Sequence, residues 1–119
     1  MRTYVQRSEA MILVGYFLAR CGAGKHRTQP PSGLGVTNWE EAYSVFYDRL
    51  GQGRELRTFR NSLQNVRDAF DAYVQNGRRG WYKDDKPAPL PWLHQKIFDR
   101  WRLRGDPQLW TAVQPYLSR

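Results

Sequence analysis

The chain has 119 residues, 40% of them hydrophobic, with five Trp, seven Tyr and five Phe, which suits a single folded domain over 1–119 and excludes a disordered chain. Cys21 is its only cysteine, so neither an intramolecular disulfide nor a thiolate zinc site can form from this chain alone. Nineteen basic residues against 11 acidic ones leave a net charge of +8. Arg dominates that excess; it forks onto phosphate and stacks on bases, so nucleic acid is the expected partner.

Residues 8–20, SEAMILVGYFLAR, are apolar on nearly every side, as in a helix surrounded by other helices. Ser8 suits the N-cap, Glu9 the first turn, and Gly15 a close approach by a second helix. Ile12, Leu13 and Val14 also admit a short buried strand. The run is too short to cross a bilayer and ends without a small-x-small cleavage site, which predicts a cytoplasmic protein with no membrane partner. Residues 21–36 form a Gly- and Pro-rich basic loop in which Lys25, His26 and Arg27 are able to touch a phosphate. Gly24-Lys25 is not a phosphate-binding P-loop, since Ala19 and His26 stand where the motif needs Gly and Ser or Thr.

A second helix is predicted over 38–50, opened by a capping box of Thr37 and Glu40 and closed by Gly51 and Gly53. Trp39, Tyr43, Phe46 and Leu50 form its inner face. Residues 37–53 are the one acidic segment of a basic chain, so this helix is expected to face away from a polyanion. The central helix spans 54–76, and helix 8–20 packs against it. Leu56, Phe59, Leu63, Val66, Phe70 and Tyr73 alternate steps of three and four along one face. Arg54, Arg57, Asn61, Asn65 and Asp68 mark the opposite face, and Arg60 and Arg67 flank the apolar stripe.

Asn76-Gly77 stops that helix, and a basic, aromatic loop follows over 77–90 with Arg78, Arg79, Trp81, Tyr82 and Lys83. Trp81 suits a stacked base or, equally, an anchor in the core. Asp84-Asp85 is a loop pair balanced by Lys83 and Lys86. Helix 91–104 opens at Pro91, seals the core with Leu93, Ile97, Phe98 and Trp101, and carries Arg100, Arg102 and Arg104 in its basic second half. Gly105 stops it, Asp106 caps the next helix, 107–117, and Pro115 loosens the last turn. The two last helices have the outline of a helix-turn-helix, but the final one offers Gln108, Thr111 and Gln114 and no basic residue before Arg119.

The fold class is therefore all-α, a single bundle of about five helices. The expected function is non-catalytic binding of DNA or RNA. Arg54, Arg57, Arg60, Arg67, Arg78, Arg79, Trp81, Lys83, Arg100, Arg102 and Arg104 are the candidate nucleic-acid-binding residues, the basic ones on backbone phosphates and Trp81 on a base, and Asn61, Gln64 and Asn65 are the candidate base readers. The rival is a protein-binding adaptor or inhibitor of a nucleic-acid-processing complex, with exposed Trp, Tyr and Arg as hot spots. No cofactor, metal site or catalytic group is expected: His26 and His94 are isolated, and no nucleophile motif occurs.

Overall fold

Ser8 opens the first helix as its hydroxyl predisposes it to, with Oγ accepting the Met11 amide at 3.1 Å and Glu9 in the first turn. In this computed structural model residues 7–23, 29–74 and 82–118 are described. Among them lie α1 (Glu9–Arg20), α2 (Trp39–Ser44), α3 (Tyr47–Leu50), α4 (Leu56–Val74), α5 (Trp92–Trp101) and α6 (Asp106–Val113). A small antiparallel hairpin pairs β1 (Tyr82–Lys83) with β2 (Lys86–Pro87). The architecture is all-α, and none of the described helices is long and apolar enough to cross a membrane.

Helix α1 is buried from Met11 to Ala19, which settles Ile12, Leu13 and Val14 as helix and not strand. Two of its neighbours, α4 and α5, run the same way. Arg7 Nε, just before α1, donates to Ser62 Oγ at 2.8 Å, and Tyr16 meets Phe70 edge to face at 5.2 Å, so α1 and α4 advance together. Phe70 then meets His94, and Tyr73 meets Phe98, which sets α5 along the same direction. Codirectional neighbours need long crossovers, and residues 21–55 and 75–91 supply them. Gly15 is where α1 and α4 come closest: a Cβ there would lie 2.2 Å from Val66 Cγ1.

Several predicted boundaries shift. The predicted helix 38–50 is two pieces, with a tightened turn at Val45 and Phe46 where the Phe46 amide bonds Tyr43 O. Its cap is Asn38, not Thr37: Asn38 Oδ1 accepts the Glu41 amide at 2.9 Å, and Thr37 Oγ1 instead donates to the Glu41 carboxylate. Leu56 is 39% exposed, because the first turn of α4 runs past the start of α1, which lies level with Ser62. The predicted loop 77–90 contains the hairpin, and Asp84 and Asp85 form its turn with φ of 52° and 63°. Positive φ at both central residues is the type I′ signature, and Asp tolerates it through its short polar side chain.

Helix α5 ends at Trp101 rather than 104, since the Arg104 amide folds back onto Trp101 O; Pro91 occupies its cap position. Gly105, not Asp106, is the cap position of α6, and Asp106 sits in its first turn. A 3-10 turn, Gln114–Tyr116, replaces the last helical turn around Pro115, which lacks an amide hydrogen. The Asn76-Gly77 stop lies outside the described residues.

Candidate functional site

The shared direction of α1, α4 and α5 brings three helix C-termini to one end of the molecule. Each carries about half a negative charge, so cations are favoured there. Arg20, last residue of α1, meets that demand from inside. Its NH1 donates to Tyr16 Oη at 3.2 Å and to Trp101 O at 3.0 Å, and its NH2 donates to Arg104 O at 2.5 Å. Its Nε pairs with Asp106 Oδ1 at 2.9 Å, which ties the start of α6 to the ends of α1 and α5. Burial pushes the Tyr16 phenol above its ordinary range, and the Arg20 hydrogen bond offsets this only in part, so the hydroxyl keeps its proton.

Beside this hub opens a cleft of about 450 Å³ between Tyr16, Tyr73, Phe98, Arg102, Leu103 and Asp106. Tyr73 and Phe98 stand at 66° to each other with ring centroids 5.6 Å apart. Tyr73 Oη also donates to Ala88 O at 2.7 Å, holding the connector before α5 against α4. A smaller cleft of about 200 Å³ lies on the other side of Asp106, next to Cys21 and Trp110.

The eleven residues predicted to form one surface do not share one. Arg54 and Arg67 are turned inward, each 9% exposed. Arg54 NH1 donates to Gly51 O and Gln52 Oε1, closing the turn ahead of α4. Arg67 lies between α4 and α2, with NH1 donating to Tyr43 Oη at 2.6 Å and its guanidinium carbon 4.1 Å from the Trp39 ring centroid. Arg60 is half-buried, 3.8 Å from Glu40. Thus α2 does not face away from these arginines; it packs against them, and its acidic first turn neutralises part of the α4 flank.

Arg57 alone of the three α4 arginines is exposed. At about 1.5 Å per residue, the 19-residue helix puts it some 25 Å from the C-terminal end, where Arg102 lines the cleft with Val74. Asn61, Gln64 and Asn65 are exposed along the middle of α4, and Lys83 is exposed on the hairpin. Arg100, Arg102 and Arg104 are exposed at and just beyond the end of α5. Arg104 lies 5.0 Å from the Trp101 ring centroid, and none of the three makes an ion pair among the described residues. Lys25, His26, Arg27, Arg78, Arg79 and Trp81 lie outside the described residues.

Arg20, Asp106 and the Tyr73–Phe98 pair were not among the predicted site residues. The signal in Arg20 was a charge closing a helix buried on every side, which must find partners. His94 was readable as well, for it shares a seam with Ile97 and Trp101 and is buried, 6% exposed and tilted against Phe70 at 5.3 Å. No described cluster of three or more His, Cys, Asp or Glu residues could hold a metal ion. Comparison with family models, with curated proteins and with solved structures gives no match, so function is argued from this geometry.

Proposed function

We propose that the protein binds the phosphate backbone of nucleic acid without catalysing a reaction, through the arginine-rich end of the helix bundle. The observation that carries this is the exposed trio Arg100, Arg102 and Arg104, none of them in a salt bridge with a described carboxylate, on a chain of net charge +8. Arg20 already answers the helix-end charge from within, so the outer three are in excess of what the fold needs. Arg78 and Arg79, which lie outside the described residues, stay in the proposed interface on their charge alone. Arg54, Arg60 and Arg67 are reassigned to structure. Titrating the purified protein with labelled duplex and single-stranded oligonucleotides at low and physiological salt tests this: binding should weaken steeply with salt. Absence of binding at low salt overturns it.

The adaptor reading keeps one specific support. Leu103 is 86% exposed between Arg102 and Arg104, and Trp92 is 77% exposed at the start of α5. Large apolar side chains flanked by arginine suit a protein hot spot as well. A stoichiometric protein partner from nuclease-treated lysate, with no nucleic-acid affinity in the pure protein, would favour it.

A further inference from the structure

The cleft beside Arg20 combines aromatic rings, a carboxylate and an arginine rim. Inside, Arg20 holds the carbonyls at the end of α5, and Asp106, in the first turn of α6, adds a carboxylate. One Asp106 oxygen is held by Arg20 at 2.9 Å, and the other has no hydrogen-bond partner among the described residues. Asp106 is exposed, so that oxygen is open to a ligand. Tyr73 and Phe98 supply a ring wall in two orientations, so a planar group lying along one ring meets the other edge-on. Outside stand the exposed, unpaired Arg102 and its neighbours. Such an interior offers a planar group with hydrogens to donate both a ring to lie against and a carboxylate oxygen to accept them, while the rim attracts a phosphate.

We infer that the cleft holds one unpaired nucleotide, its base against Tyr73 and Phe98, an exocyclic amino group on the free oxygen of Asp106, and its phosphate on Arg102. This rests on the nucleic-acid reading above and adds to it a preference for unpaired over duplexed bases. Acceptance of a base amino group by a side-chain carboxylate is an established mode of base readout. Stacking on an aromatic side chain is sequence-tolerant, whereas the carboxylate selects amino-bearing bases, so cytosine and adenine should bind better than thymine. The cleft's many polar groups, Tyr16 and Asp106 among them, make it a poor seat for the purely apolar anchor of a protein partner.

The test compares a blunt duplex with single strands of oligo-C and oligo-T carrying equal numbers of phosphates, by anisotropy at fixed salt. Oligo-C should bind about tenfold tighter than either other ligand. Phe98→Leu keeps the apolar volume and removes the ring; with its melting temperature checked, it should lower single-strand affinity toward that of the duplex. Asp106→Asn, checked likewise, should narrow the gap between oligo-C and oligo-T. Competition by cytidine monophosphate identifies the source of the nucleotide: displacement at micromolar concentration assigns a free nucleotide, and displacement only at millimolar concentration assigns a strand. Equal binding of all three oligonucleotides, or preferences unchanged in a folded Phe98→Leu variant, overturns the cleft assignment and leaves backbone binding intact. No binding of any oligonucleotide at low salt overturns both.

Discussion

Arg20 Nε lies 2.9 Å from Asp106 Oδ1, and the same guanidinium reaches the carbonyls of Trp101 and Arg104. One side chain therefore joins α1 to the turn between α5 and α6. Its exposure is far lower than that of Asp106, 17% against 65%, so the carbonyl hydrogen bonds matter more to stability than the ion pair. Arg20→Met should destabilise the fold by about 2–3 kcal/mol in urea unfolding, through several lost charge-assisted bonds. Asp106→Asn should cost about 1 kcal/mol or less. Equal losses in the two variants would show that the ion pair, not the carbonyl staple, is the principal link.

Gly15 permits the close crossing of α1 over α4. Alanine there would gain about 1 kcal/mol of helix propensity, but its methyl would sit 2.2 Å from Val66 Cγ1 and 3.4 Å from the Arg67 amide nitrogen. The clash dominates, and Gly15→Ala should lose about 1–3 kcal/mol net. Adding Val66→Ala removes the methyl it meets, so the double variant should be more stable than the sum of the single losses implies. Strict additivity would mean that the helices separate elsewhere to admit the methyl.

His94 gives the fold a pH dependence. Burial, with the Arg7 charge adding to it, lowers its pKa from 6.5 to about 4, and its Nδ1 has no hydrogen-bond partner among the described residues. Between these values the unfolded chain binds a proton that the folded protein refuses. Stability from this residue is therefore complete above about pH 6.5 and is lost as pH falls toward 4, by on the order of 3 kcal/mol at most. Glu9, whose pKa is lowered by its hydrogen bond to Lys96, acts in a separate window below 4.5. Urea midpoints measured from pH 7 to pH 4.5 should fall for the native chain and stay nearly flat for His94→Phe. A parallel fall in that variant would place the titrating group elsewhere.

The helices were legible because their cores follow the 3.6-residue period: Phe59, Leu63, Val66 and Phe70 are all fully buried where the spacing puts them. Gly15 was legible for the same reason, as a gap in an otherwise bulky helix. The arginines were not, because a charge beside an apolar stripe reads alike whether solvent or another helix covers it. Arg67 is the clear case: only the packing of α2, with Trp39 and Tyr43 on that flank, turns a surface cation into an internal one. The Asp84-Asp85 turn escaped notice because its type usually signals itself through Asn-Gly or Asp-Gly.

That distinction yields the sharpest functional prediction, since it divides the arginines into two groups with opposite signatures. Arg54 and Arg67 act on the fold, so Arg54→Ala and Arg67→Ala should each lower stability by about 1–3 kcal/mol through lost buried hydrogen bonds. Arg100, Arg102 and Arg104 are exposed, so their charge reversals should change stability by no more than about 0.5 kcal/mol. Binding should respond the other way round. Each phosphate contact contributes about −0.9 to the log-log salt slope on duplex DNA, so each removed contact should flatten it by about that amount. Arg57→Glu, at the far end of α4, should leave the slope unchanged and serves as the control for net charge. If Arg57→Glu flattens the slope as much as Arg102→Glu does, affinity follows total charge alone and the end of the bundle is not a distinct interface.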